Sequence, residues 1–126
     1  MQSWALVAAG GALGAMGRFA VSNLVGLALG RHFPYATLIA NVAGSFLIGM
    51  MFVLVFERAV LGESWRLLVM VGVLGAFTTF STFSLETVTL MVEGAWLRAT
   101  LNVVASVALC LCGCYLGLLV GRLTPG

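Results

Sequence analysis

The chain has 126 residues and a mass of 13.2 kDa, and 62% of it is hydrophobic while only 8% is charged. Soluble domains use roughly 45–50% apolar and about 25% charged residues, so this composition excludes a soluble globular protein. The six basic residues are all Arg, the four acids are all Glu, and a net charge of +2 leaves no basic surface for nucleic acid.

Charged residues divide the chain into four apolar stretches, 5–30, 35–56, 67–91 and 96–121, of 26, 22, 25 and 26 residues. A helix needs about 20 residues to cross the hydrocarbon core. The expected fold is therefore an all-α membrane protein, with residues 1–126 forming a single four-helix transmembrane domain. The connections 31–34, 57–66 and 92–95 are too short for an extramembrane domain. Trp4, Tyr35, Trp65 and Trp96 fall at the ends of stretches, where amphipathic aromatics anchor in the headgroups. The start, MQSWALVAAGG, lacks the positive region of a secretory signal, so no cleaved leader is expected.

In the first span Gly10 and Gly14 are spaced four apart and predict close helix packing. Arg18 lies about 13 residues into this span, roughly 20 Å along a helix. There an Arg either snorkels or faces a wet vestibule. A helix ending near Asn23, with 24–30 at the interface, would bring it close to the surface. His32 stands beside Arg31 in the first loop and reads as a loop imidazole.

The second span carries two stripes: Ala36, Ala40 and Gly44, which are small, and Thr37, Asn41 and Ser45, which are polar. Residues four apart share a helix face. In the fourth span Asn102, Ser106, Cys110 and Cys114 repeat the polar pattern, and Gly113, Gly117 and Gly121 the small one. Interhelical hydrogen bonding accounts for any one such polar residue; two aligned stripes point to a polar track. Cys110 and Cys114 share a face that Cys112 does not, so the three thiols form neither a metal cage nor a disulfide framework.

The third span contains Gly72-Val73-Leu74-Gly75-Ala76-Phe77-Thr78-Thr79-Phe80-Ser81-Thr82-Phe83-Ser84 near its middle. Two glycines, paired β-branched Thr and further hydroxyls are poor material for an uninterrupted helix, so a break at membrane depth is expected. Broken helices expose backbone groups only where they line a cavity or hold an ion. Phe77, Phe80 and Phe83, spaced by three, otherwise read as an aromatic packing stripe. Glu86 lies five residues from the end of the stretch.

The termini and the 57–66 loop share one side, with Arg58, Arg66 and Arg122, against Arg31 and Arg98 on the other. Three against two is almost no orienting bias, so insertion in both directions, and a dimer of opposed copies, would follow naturally. Four helices fill their own centre with side chains, which also argues for oligomerisation.

The groups around the third-span motif are amide, hydroxyl and aromatic. Asn N–H and the hydroxyls of Ser81 and Thr82 donate to a small anion, and the ring edge of Phe is the positive end of its quadrupole. Weak, uncharged donors suit an ion that must leave quickly. No nucleophile–base pair, paired carboxylates or phosphate loop marks an enzyme.

The GALGAMGRF stretch, Asn41-Val42-Ala43-Gly44-Ser45 and above all GAFTTFSTFS resemble the CrcB/Fluc family of bacterial fluoride channels, a likeness that covers all four spans. The resemblance implies a multi-pass protein of the bacterial inner membrane that passes fluoride passively and protects against its toxicity. It implies a dual-topology antiparallel homodimer with two pores and a central structural sodium ion. Carried over residue by residue, Asn41 matches the pore asparagine and Phe80 and Phe83 the pore phenylalanines. Thr37 and Ser106 match track hydroxyls, and Glu86 a vestibule carboxylate. Gly75 and Thr78 match the carbonyls that hold sodium. Cys110 and Cys114 depart from the hydroxyl pattern of the track. The rival class is a proton-coupled exporter like the small multidrug resistance family, which needs a titratable carboxylate deep in the bundle; the first, second and fourth spans have none.

Overall fold

The computed structural model describes residues 1–124. Helix α1 is Gln2–Leu29 and α2 is Tyr35–Glu57. The third passage, Glu63–Val92, consists of α3 over 63–77 and α4 over Phe80–Val92, and α5 is Trp96–Leu123. These four passages are each long and apolar enough to cross a membrane, and no strand occurs among the described residues. The chain is a multi-pass membrane protein.

The helices run past the apolar stretches that announce them. α1 begins at Gln2 and the third passage at Glu63, because polar residues continue a helix where it meets water. α1 also runs unbroken past Asn23 to Leu29, which leaves Arg18 far from the helix terminus. Gly30, at φ 80°, stops it with an amide that donates to the Gly26 carbonyl at 3.0 Å. The last turn of α2, Val53–Glu57, and the stretch Arg66–Leu74 of α3 wind as π-helix, so α3 is widened just before its end.

The helices pack in two tight pairs, α1 with α3 and α2 with α5, while α4 leans on α5. Small residues make each pair possible. A Cβ on Gly10 would collide with the Leu68 carbonyl, and one on Gly14 with the Val73 carbonyl. Between α2 and α5 the arrangement is reciprocal: Gly117 lies against the Phe46 carbonyl and Gly49 against the Cys114 carbonyl. Backbones that approach this closely gain dispersion contacts where lipid offers no hydrophobic drive. The glycine stripes are thus used inside the chain.

Both membrane edges are tied by arginines. At the end where α2 finishes and α3 begins, Arg122 pairs with Glu57 at 2.8 Å, Arg66 pairs with Glu63, and Arg58 Nη1 donates to the Gly121 carbonyl at 3.3 Å. At the opposite end Arg98 Nη1 donates to the His32 carbonyl at 2.7 Å. Among the described residues the buried hydrophobic ones are only Ala40, Val53, Leu74, Leu90 and Ala99. The accessible surface is 7497 Å², against roughly 6,400 Å² for a compact soluble chain of this mass. The apolar exterior is suited to lipid and to other helices.

Candidate ion-binding groove at the helix break

The helical ladder of the third passage stops at Phe77. Thr78 (φ −88°, ψ 156°) and Thr79 (φ −155°, ψ 120°) are extended, and α4 starts at Phe80. Both the amide and the hydroxyl of Thr78 donate back to the Leu74 carbonyl, at 3.1 and 2.9 Å. The Thr79 amide would next donate to Gly75; it turns instead to Asn41 Oδ1 at 2.8 Å, while Asn41 Nδ2 donates to the Thr79 carbonyl at 3.1 Å. One side chain on α2 therefore satisfies both backbone groups of Thr79, as buried backbone demands. The Thr79 hydroxyl caps α4 by accepting from the Thr82 amide at 3.1 Å, and it donates to Thr82 Oγ1 at 3.2 Å.

Arg18 closes the other side of the break. Its Nε donates to the Ala76 carbonyl at 3.2 Å, across from α1 to the last turn of α3. A cation there meets the negative end of the helix dipole and one of the carbonyls that every helix terminus leaves unpaired.

Around the break lies a cavity of about 370 Å³. α2 contributes Asn41, Gly44, Ser45 and Ile48; the break contributes Leu74, Gly75, Thr78 and Thr79; α5 contributes Ser106, Val107, Cys110 and Leu111. Phe80 and Phe83 complete the wall, with ring centroids 5.3 Å apart and planes inclined by 42°. Phe80 is 78% exposed within the chain, so its ring fills no core of its own subunit. The cavity is walled mainly by carbon with a few donors: the second Asn41 N–H, the Ser45 hydroxyl and the Cys110 thiol. Such a site can hold a small ion weakly.

Of the residues singled out from sequence, Asn41, Phe80, Phe83, Ser106, Gly75 and Thr78 are gathered on this cavity. Thr37, Ser81, Thr82, Arg18 and Glu86 are not among its lining. Ser81 is exposed at the first turn of α4, and Thr82 is tied to the cap. Thr37 is half-buried one turn before Asn41. Glu86, one turn beyond Phe83, lines a second cavity of about 190 Å³ with Arg31, His32, Pro34, Thr89, Leu90, Glu93 and Arg98. Its Oε1 is buried and accepts no hydrogen bond among the described residues. Sequence reasoning passed over Thr79, whose role depends on Asn41 across the fold, and over the Arg31 and Arg98 pair, which only tertiary structure joins.

The fourth-span stripe divides. Cys110 faces the cavity, whereas Asn102 and Ser106 are buried, with Ser106 reaching the cavity edge. All three cysteines are free thiols, and no cluster of His, Cys, Asp and Glu could hold a metal among the described residues.

The family described as CrcB-like protein, Camphor Resistance (CrcB) matches residues 5–118. A protein of Magnetococcus marinus named fluoride-specific ion channel FluC is 55% identical over 119 residues, covering 94% of this chain and 97% of the relative. Proteins of the same name are 52% identical in Aeromonas salmonicida, over 94% of each chain, and 46% identical in Coxiella burnetii, over 93% of this chain and 95% of the relative.

Proposed function

The chain belongs to the CrcB-like family, and from that premise we propose that it is a fluoride-specific ion channel of a bacterial membrane, passing fluoride down its gradient. The observation that carries this reading is the 55% identity, over nearly its whole length, to a protein named as such a channel. The groove supports it chemically. An anion meets the ring edges of Phe80 and Phe83, the remaining Asn41 N–H and the Ser45 hydroxyl, and no fixed charge that would trap it. Donors closing on a small ion repay the dehydration of fluoride better than that of the larger chloride, which is the origin proposed for selectivity. Relatives with this name are channels, and the chain is no enzyme.

The path continues, on this reading, past Thr37 and Glu86 to the second cavity, where Arg31 and Arg98 offset the charges of Glu86 and Glu93. Arg18 serves the break and not the mouth. The groove is open along one side, with Phe80 largely exposed, and a second copy would close it. The weak arginine bias supports an antiparallel homodimer with two pores. At the break, Gly75 keeps a carbonyl whose ladder donor has gone to Asn41, and Gly75 is exposed on the cavity wall. This oxygen and that of Thr78 fit a structural sodium ion, which when bound would neutralise facing carbonyls and join the subunits. Purified protein in liposomes, followed with a fluoride electrode, tests the proposal: rapid fluoride efflux is expected, and none would refute it.

A further inference from the structure

Helix α4 is joined to α3 by two extended residues, so no backbone ladder fixes its rotation about its own axis. Its setting must come from neighbours. Asn102, in the second turn of α5, is the most deeply buried polar side chain among the described residues, 1% exposed. Its Nδ2 donates to Thr87 Oγ1 at 2.9 Å, and the Thr87 hydroxyl donates in turn to the Phe83 carbonyl at 2.7 Å. On its other side Asn102 Oδ1 accepts from the Ser106 hydroxyl at 3.4 Å. A single amide thus connects the backbone of Phe83 with the side chain of Ser106, and both residues line the cavity.

We propose that Asn102 is a positioning residue of the pathway, which acts through Thr87 and Ser106 to hold the Phe83 ring and the Ser106 hydroxyl in fixed relation across the cavity. The physical basis is the cost of rotating α4. Rotation would carry the Thr87 oxygen away and strand the buried Asn102 N–H without an acceptor, while the Thr87 hydroxyl would keep the Phe83 carbonyl of its own helix. In consequence for conduction the inference rests on the fluoride-channel reading; in geometry it stands apart from it.

The test uses the full chain in liposomes, with 4-fluorophenylalanine at position 83 for fluorine NMR and the same chains without the label for fluoride flux. The unaltered chain is expected to give one resonance. Asn102→Leu should shift or split it and slow flux about tenfold, the scale of losing a strong interhelical hydrogen bond. Thr87→Val should act in the same direction, and the double variant no more severely than Asn102→Leu, because the two residues act through one chain of bonds. Thr87→Val keeps the side-chain shape, so it decides the matter if Asn102→Leu does not assemble. An unmoved resonance overturns the proposal, whatever the flux does. An unaltered chain that passes no fluoride refutes the channel reading, while the resonance still decides the position of Phe83.

Discussion

Asn41 and Thr79, 38 residues apart in the chain, exchange two hydrogen bonds: Thr79 N–H to Asn41 Oδ1 at 2.8 Å and Asn41 Nδ2 to the Thr79 carbonyl at 3.1 Å. The amide side chain takes the place of the missing backbone partner, and so keeps an extended link in the middle of a membrane passage. The same amide has one N–H left for the cavity. Structural support and ion contact are therefore combined in one residue.

Asn41→Asp should abolish fluoride flux, because a carboxylate loses the donor to the Thr79 carbonyl and brings a negative charge to the path of an anion. Asn41→Ala, which leaves two backbone groups unpaired, should lower stability by about 2–6 kcal/mol, about 1–3 for each group. Thermal unfolding in detergent and flux in liposomes check the two outcomes. Wild-type flux in Asn41→Asp would contradict both roles.

Phe80→Ile and Phe83→Ile keep bulk and remove the positive ring edge. Each should block or greatly slow fluoride flux while assembly is unchanged, since an aliphatic side chain offers the anion no positive edge. Size-exclusion chromatography and electrode recordings separate the cases. Normal conduction in both variants would return the rings to the role of packing.

Arg18 donates to the Ala76 carbonyl, so its loss should act on the break. Arg18→Ala is expected to cost about 1.5–3 kcal/mol, the range of a charged hydrogen bond, and any fall in flux should be insensitive to ionic strength. A variant of normal stability whose flux falls mainly at low salt would identify Arg18 as an anion attractor at a mouth.

Three arginines against two at the membrane edges leave little to orient the chain. A reporter fused after residue 126 should appear on both sides of the membrane, and two Lys added at one terminus should bias the population and reduce activity. A reporter found on one side only would rule out antiparallel assembly.

The membrane passages were legible in the sequence because apolar runs and end-anchoring aromatics are local signals. Their ends were less so: polar Gln2, Glu63 and Arg122 lie in helices where hydropathy alone stops short. The residues that meet at the groove could be named because period four on α2 and period three on α4 place them on one face. What they touch could not be named. Arg18 looks like a vestibule or snorkelling residue until its partner, 58 positions away, is known. Asn102 belongs to the same stripe as Cys110, yet one is sealed against Thr87 and the other opens on the cavity. The glycine stripes announce close contact without saying with which helix, and the fold uses them between α1 and α3 and between α2 and α5.

The most direct test of a fluoride-selective passive channel is ion efflux from liposomes that hold the purified chain and both halides, with fluoride and chloride electrodes read together and no proton gradient imposed. Fast fluoride release with chloride retained is the result expected of the groove of Asn41, Phe80, Phe83 and Ser106. Equal release of the two halides, or fluoride movement only when a proton gradient drives it, would contradict it.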